Sequence, residues 1–175
     1  IQIISASDAF AAIKSDGSVV TWGNPMIGGD SSSVKEQLSS GVSQITATKF
    51  AFAALKSDGS VVTWGFHDVG GDSSSVASSL KSNVKEIYSS PNAFAAIKND
   101  GSVVTWGDSD YGGDSSHYNS QGEGSVASEL SSGVIKIIGV GGGITRTGSL
   151  IAIKNDGSVV TWGGYSNGLH FDKES

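Results

Sequence analysis

Three aspartates that follow paired glycines are the first side chains whose type and spacing could do chemistry. Gly-Gly-Asp occurs three times and ends at Asp30, Asp72 and Asp114. Carboxylate and backbone carbonyl oxygens are the ligands that Ca²⁺ prefers. The spacing matches neither an EF-hand loop nor the glycine-rich β-roll repeat, and the corresponding position near the C-terminus reads Gly168-Leu169-His170. These aspartates are therefore weak metal candidates.

Histidine, serine and glycine-rich segments could supply metal binding, nucleophilic catalysis or phosphate binding. His67, His117 and His170 fall in predicted loops at unrelated offsets, whereas a metal site needs two or three to converge. The run 139–145 is rich in glycine, but it leads into Arg146 and then a predicted strand, not into the helix that a phosphate loop requires. We expect no catalytic activity and no cofactor.

An eight-residue sequence, Asp-Gly-Ser-Val-Val-Thr-Trp-Gly, occurs four times and organises the whole chain. The copies begin at Asp16, Asp58, Asp100 and Asp156, so the first three are 42 residues apart and the fourth follows after 56. This period lies in the range of propeller blades. We predict an all-β, propeller-like repeat array of four three-stranded antiparallel blades. The single array covers 1–175, with blades at approximately 1–41, 42–83, 84–133 and 134–175.

Each repeat unit contains three short apolar segments typical of strands. In the second unit these are Val42 to Ile45, Ala51 to Lys56 and Val61 to Trp64. The Asp-Gly pair between the last two predicts a tight hairpin turn in which both central residues have positive φ. The glycines of this pair are expected to be structural, and they are Gly17, Gly59, Gly101 and Gly157.

The link that follows each blade begins at the Gly-Gly-Asp turn and is rich in serine. It carries apolar residues at i, i+4 spacing, Val34 and Leu38 in the first unit. One short helical turn would put both side chains on one side. We expect this turn to attach the link to the sheet.

The four tryptophans could be stacking platforms for a sugar or a base. They occupy the same strand position in every unit, and each is followed by glycine. An aromatic residue repeated at one strand position is better explained as a buried residue that packs between blades. We therefore assign Trp22, Trp64, Trp106 and Trp162 to the structural core of the repeat.

Charge and composition exclude several classes of partner. The chain has 175 residues, a formal net charge of -6 and a single arginine, Arg146. Nucleic acids and anionic membrane surfaces require clustered basic residues, so neither is expected as a partner. There is no cysteine, which excludes a disulfide framework. No apolar run could span a membrane, and no targeting signal opens the sequence, which begins at Ile1 and indicates a piece of a longer protein.

The order of these motifs resembles the repeats of the regulator of chromosome condensation family. The three-stranded, roughly 40-residue form is closest to the propeller-type β-lactamase inhibitor proteins, which also place Ser-Gly-Val before the first strand, as in Ser40-Gly41-Val42. The resemblance implies a seven-bladed propeller used as a binding platform for GTPases, chromatin or inhibited enzymes. This chain departs from it in having four units, and in having Ala51-Phe52 where the family commonly has His-Thr or His-Ser.

Four units leave a structural question open. An array of four blades exposes two apolar end faces, which favours association. Further repeats of a larger array could cover these faces, or other copies of the chain could do so in a ring or filament, or the four blades could close on themselves. The expected partners are thus other repeats or copies of the chain, and a protein or a glycan.

The function predicted from these residues is that of a non-catalytic structural or binding module of a larger secreted or cell-surface protein. The alternatives are a self-assembling filament or ring and a regulatory or inhibitory propeller. The four residues after each Trp-Gly differ between units, so a ligand would contact these loops. The candidate ligand-facing residues are Phe66, His67, Asp110, Tyr111 and Tyr165. The serine-rich links would accept O-glycosylation in an extracellular setting.

Overall fold

The computed structural model describes residues 1–116, 124–141 and 148–164. These residues form four three-stranded antiparallel sheets, each joined in sequence order as a meander. The strands are β1 (Gln2–Ser5), β2 (Ala9–Ile13), β3 (Val19–Gly23), β4 (Val42–Ala47), β5 (Ala51–Lys56), β6 (Val61–Gly65), β7 (Val84–Ser89), β8 (Ala93–Lys98), β9 (Val103–Gly107), β10 (Val134–Gly141), β11 (Gly148–Lys154) and β12 (Val159–Gly163). The predicted all-β array of four three-stranded blades is confirmed, and we call the sheets blades 1 to 4.

Short 3₁₀ turns are the only helical elements among the described residues. They are Pro25–Ile27, Ser32–Val34, His67–Val69, Ser74–Val76, Ser109–Tyr111 and Glu129–Ser131. In this part of the chain we find no helix long and apolar enough to cross a membrane.

Strand pairing places an aromatic pair side by side in each of the first three blades. Phe52 of β5 lies opposite Trp64 of β6, and their rings stack with centroids 5.3 Å apart. The equivalent pairs in blades 1 and 3 are Phe10 with Trp22 and Phe94 with Trp106. Offset stacking of this kind stabilises neighbouring rings beyond the area they bury. The pairs form one broad apolar face on each of these three blades.

The two faces of a blade differ in the size of their side chains. Alanines of β2, such as Ala9 and Ala11, belong to the same buried cluster as Phe52 and Trp64 of the next blade. The same arrangement joins blade 2 to blade 3 and blade 3 to blade 4. We call the aromatic side the leading face and the alanine side the trailing face. Small residues against large ones allow close packing, and the core is a row of such interfaces.

The links cover the outer edge of the sheets as expected. Val34 ends a 3₁₀ turn, and Leu38 is buried. The backbone N–H of Val19 in β3 donates to the carbonyl of Leu38 at 3.0 Å, so the link is bonded to the outer strand. The N–H of Leu38 also donates to the carbonyl of Val34 at 3.1 Å, which confirms the helical turn predicted from the spacing of these two residues.

The hairpin turns differ from the prediction made from their Asp-Gly pairs. Gly17 has a positive φ of 76°, whereas Asp16 does not have positive φ. The N–H of Gly17 donates to Lys14, and the N–H of Lys14 donates to Ser18, which defines a three-residue loop with glycine in the left-handed position. The prediction of a two-residue turn was wrong because the Asp16 carboxylate accepts hydrogen bonds from both N and Oγ of Ser18, at 2.9 and 2.7 Å. These bonds favour the longer loop.

Candidate functional site

Two loops of each blade lie at the same edge of the sheet. The N–H of Asn24, after β3, donates to the carbonyl of Asp8, before β2, at 2.8 Å. Equivalent bonds join Phe66 to Phe50 and Asp108 to Asn92. We call this edge the variable rim. In blades 1 to 3 it consists of the first-hairpin loops 6–8, 48–50 and 90–92 and the turns 24–29, 66–71 and 108–113.

The turns after Trp-Gly share one backbone conformation although their side chains differ. Each is a 3₁₀ turn that ends at a glycine in the left-handed conformation, with φ of 100° at Gly28, 102° at Gly70 and 93° at Gly112. The residue before this glycine, Ile27 or Val69, is buried, and the residues before that are exposed. The scaffold therefore presents different side chains in the same position.

The structure exposes three of the predicted ligand-facing residues, Phe66, His67 and Asp110. Tyr111 takes the position of Ile27 and Val69, and it is half-buried. A methyl group placed on Gly148 in blade 4 would come within 2.6 Å of Cδ1 of Tyr111, so this ring lies against the next blade. Tyr165 lies outside the described residues.

His67 is held between two carboxylates. Its Nδ1 lies 2.9 Å from Asp68, and its Nε2 lies 3.0 Å from Asp72. The hydrogen bond to Asp68, followed by the negative charge of Asp72, raises the pKa of His67 above its usual value. The site therefore favours the imidazolium form, in which both ring nitrogens donate.

Acidic side chains outnumber basic ones on the variable rim. The rim carries Asp8, Asp68, Asp108 and Asp110, and its basic groups are Lys49 and the His67 imidazolium. The opposite edge carries the repeated Lys-x-Asp-Gly-Ser hairpins, in which a basic and an acidic side chain lie two residues apart. The rim thus has a negative field that favours basic groups.

The ends of the first strands of all four blades surround one open depression of about 420 Å³. Backbone bonds connect its walls, because the N–H of Ser7 donates to Lys49 at 2.9 Å and the N–H of Lys49 donates to Pro91 at 2.8 Å. The lining is made of serines, small apolar residues and backbone, with Lys49 as its charged group. It is lined by Ser5, Ala6, Ser7, Ala47, Thr48, Lys49, Ser89, Ser90, Pro91, Gly139, Val140 and Gly141.

The three weak metal candidates serve as acceptors within their own loops. Each carboxylate accepts the backbone N–H of the serine two residues later, at 2.8 Å for Asp30, Asp72 and Asp114 alike. These bonds hold the pKa of Asp30 and of Asp72 below the usual value. In the part of the chain that the structure describes, we find no group of three potential metal ligands.

Three tryptophans join neighbouring blades. Trp64, Trp106 and Trp162 are buried, and each donates its indole N–H to a glycine carbonyl of the preceding blade, at 3.0, 3.2 and 3.0 Å. This geometry leaves no ring face free for a sugar or a base at these positions. Trp22 in blade 1 is partly exposed.

The glycines of the Asp-Gly pairs also lie at blade boundaries. A methyl group on Gly17, Gly59 or Gly101 would come within about 3 Å of the backbone that starts the next blade, whereas Gly157 has open space around it. Only glycine combines this close approach with the left-handed backbone. Within the described residues, Gly157 has no backbone neighbour equivalent to those of Gly17, Gly59 and Gly101.

Sequence reasoning missed two features. Lys56, Lys98 and Lys154 donate their ammonium groups to carbonyls of the preceding link, at 2.8, 2.9 and 2.7 Å; only their repeated position in the sequence signals this role.

In addition, Gly164-Tyr165-Ser166-Asn167-Gly168 matches the Gly-x-Ser-x-Gly pattern of a nucleophile elbow. This segment lies, apart from Gly164, outside the described residues.

Four meander blades packed face to face define a propeller-type repeat protein. No family model and no curated protein sequence matches the chain. Among solved structures, Prp20p from Saccharomyces cerevisiae is 16% identical with a TM-score of 0.54, covering 93% of this chain and 44% of Prp20p. Yeast RCC1 (Prp20) bound to Kap60 is 15% identical with a TM-score of 0.54, covering 93% of this chain and 43% of that one. Human WBSCR16 is 19% identical with a TM-score of 0.47, covering 78% of this chain and 41% of that one.

The blades therefore have the fold of RCC1-type propeller blades, as the sequence resemblance implies. The chain spans less than half the length of these solved structures. At 15–19% sequence identity, the similarity to these structures is a similarity of fold.

Proposed function

We propose that this chain is a non-catalytic, protein-binding repeat module of a larger protein, and that its partner contacts the variable rim. The observation that carries the proposal is the separation of constant and variable sequence onto opposite edges of the blades. The Asp-Gly-Ser hairpins are identical in the four units, and they lie at one edge. The differing side chains, including Met26, Phe66 and Asp110, are exposed at the other.

The chemistry of the rim favours a partner with basic side chains around an apolar contact. Met26 and Phe66 are exposed apolar groups, and Asp8, Asp68 and Asp110 are exposed carboxylates on the same rim. Aromatic and methionine side chains are enriched at the centres of protein interfaces. Complementary charge raises association rates and selects among partners.

Two solved structures of one neighbour, yeast Prp20, support a protein partner. The Prp20p structure is described together with its binding properties toward Gsp1p and histones, and yeast RCC1 was solved bound to Kap60. These are statements about those proteins. For this chain they support the class of partner, a protein, and the acidic rim supports the basic character of its contact surface.

Binding measurements on rim variants test the proposal. A partner identified by crosslinking and mass spectrometry would be titrated against the chain by calorimetry. The double variant Phe66→Ser, Asp110→Ser should weaken binding at least about tenfold, equivalent to ~1.4 kcal/mol, and leave the melting temperature unchanged. Glu36→Ser is the matched control, because it removes one exposed carboxylate from a link. Equal affinity of the rim variant and the control would refute the proposal.

We propose in addition that the parent protein is secreted or displayed on a cell surface. The exposed serines of the links, among them Ser32, Ser33 and Ser39, would be accessible to O-glycosylation there. Fractionation of cells that produce the tagged parent protein, with mass analysis of the link peptides, tests this location. Recovery of the unmodified protein from the cytosol alone would contradict it.

A further inference from the structure

The leading face of blade 1 is uncovered. Ile3 and Trp22 are 63% and 43% exposed, whereas Ile45 and Trp64, their counterparts in blade 2, are 4% and 3% exposed. Phe10 and Val20 extend the same apolar face and are also exposed. Contiguous apolar surface of this kind marks a site of association.

Polar groups on this face also match those that join blades within the chain. Trp64 donates its indole N–H to Gly28, and Lys56 donates its ammonium group to Gln37, both in the preceding unit. Trp22 and Lys14 stand at the same positions in blade 1. Within the described residues, Lys14 has a long contact of 3.8 Å to Asp16, and no acceptor lies near the Trp22 indole. The face thus carries the donors of a blade interface as well as its apolar surface.

The trailing face of blade 4 is the complementary surface. Val159 of β12 is 53% exposed, and Ile138 of β10, on the other side of β11, is 40% exposed. The equivalent residues of blade 1, Val19 and Ile4, pack against the core that blade 2 completes. A methyl group placed on Gly157 would meet no described residue within 4 Å, whereas the carbonyls of Gly17, Gly59 and Gly101 accept N–H groups from the next blade at 3.0 Å.

We propose that the leading face of blade 1 binds the trailing face of blade 4 of a second copy of this chain. The contact would continue the interface that occurs three times inside the chain. A second copy is the occupant because one molecule carries both halves of the interface, and their exposure shows that they do not cover each other within it. In the larger protein proposed above, these two faces would then pair between molecules instead of with further repeats. The contact is heterologous, so each added copy leaves one free face of each kind, and assembly proceeds head to tail.

Two residues of β11 distinguish the trailing face of blade 4 from those of blades 1 to 3. Ser149 stands where Ala9, Ala51 and Ala93 occur, and the larger change is at Ile151. Ile151 stands where Ala11, Ala53 and Ala95 occur. The larger side chain reduces the close fit against Trp22 and Phe10. Copies are also not linked covalently, whereas blades are. The association should therefore depend on protein concentration.

Two complementary variants test the proposal by sedimentation velocity. Val20→Asp places a charge on the leading face, and Val159→Asp places one on the trailing face. Wild-type protein should form dimers and longer species as concentration rises, and each variant alone should stay monomeric. An equimolar mixture of the two variants should form a 1:1 dimer and nothing larger, because one intact face of each kind remains. Met26→Asp, on the variable rim, is the matched control and should associate as wild type does.

Circular dichroism establishes that each variant is folded before sedimentation. Emission of Trp22 supplies a second measurement that needs no charged substitution: it should shift to shorter wavelength as wild-type protein is concentrated, and the shift should be absent in Trp22→Phe. A wild-type protein that stays monomeric at millimolar concentration would overturn the proposal. Dimerisation of Val159→Asp alone would also overturn it, since leading faces would then pair with each other. The rim is unchanged in both variants, so failure here is distinct from failure of partner binding.

Discussion

Trp64 donates its indole N–H to the carbonyl oxygen of Gly28, 3.0 Å away in the neighbouring blade. Both residues are buried, so the bond forms away from water. Trp106 with Gly70 and Trp162 with Gly112 repeat it. The bond joins residues 36 positions apart in the first two cases, and it aligns the aromatic face of one blade with the turn that ends the previous one.

Replacing Trp64 by phenylalanine should lower the free energy of unfolding by about 1–3 kcal/mol, because the Gly28 carbonyl loses its partner while it stays buried. Trp22→Phe is the matched control, since that indole is partly exposed and has no acceptor among the described residues. Its effect should stay within about 0.5 kcal/mol. Urea unfolding at low protein concentration, where copies do not associate, measures both. Equal losses would show that the interblade bond contributes nothing.

Gly28→Ala should destabilise the protein more than Gly157→Ala. Both glycines have positive φ, 100° and 85°, so each substitution adds backbone strain of about 1–2 kcal/mol. At Gly28 the added methyl group would also lie 2.6 Å from Cδ2 of Phe52, whereas at Gly157 it meets nothing within 4 Å. The difference between the two melting temperatures therefore isolates the packing of one blade on the next. Indistinguishable melting temperatures would contradict the close approach at Gly28.

The four hairpin aspartates should make stability depend on acid pH. Bonds from the serine two residues later hold the pKa of Asp16, Asp58, Asp100 and Asp156 below 3.8. A depressed folded-state pKa means that the stabilisation is present above the unfolded value and is lost as pH falls through the folded value. The urea midpoint should therefore decrease as the pH is lowered from about 5 to 2. Asp58→Asn should flatten this decrease, and an unchanged slope would contradict the assignment.

His67 should titrate above its usual pKa of 6.5 because of its hydrogen bond to Asp68 and the charge of Asp72. A raised folded-state pKa contributes stability that is fully present below the unfolded value and is lost as pH rises through the folded one. Proton NMR of the imidazole follows this titration. Asp68→Asn should lower the pKa of His67 most, and Asp72→Asn should lower it less. Asp110→Asn is the control on the same rim and should leave the pKa of His67 unchanged. A pKa of His67 that does not respond to Asp68→Asn would exclude this arrangement.

The repeated motif was sufficient to predict the strands, the number of blades and the buried position of Trp64, Trp106 and Trp162, whereas Trp22 is exposed. These features follow from local patterns that recur in every unit. The Asp-Gly turn was predicted wrongly because its loop length depends on the bonds from Ser18 to Asp16, which the dipeptide alone does not reveal. The bond from Lys56 to Gln37 could not be predicted, since its acceptor is a backbone carbonyl that any residue offers.

The candidate site was only partly predictable for a related reason. Variation after Trp-Gly correctly indicated exposed positions at Phe66 and His67. Sequence variation did not indicate that the last variable residue of each turn is buried in a blade interface, as Ile27 and Val69 are. Tyr111 takes this same position, so its ring packs against blade 4 and is less available to a ligand than its sequence position indicates.

Ile151→Ala should strengthen association between copies. In blades 1 to 3 an alanine at this position shares a buried cluster with the next blade, as Ala53 does with Phe94 and Trp106. Ile151 is half-exposed, so its truncation should cost the monomer less than about 1.5 kcal/mol, below the range of fully buried isoleucines. Restoring the alanine surface should lower the dissociation constant about tenfold, equivalent to ~1.4 kcal/mol, as measured by sedimentation equilibrium. Weaker association would mean that Ile151 itself makes the contact, and that copies do not meet with the spacing of blades within the chain.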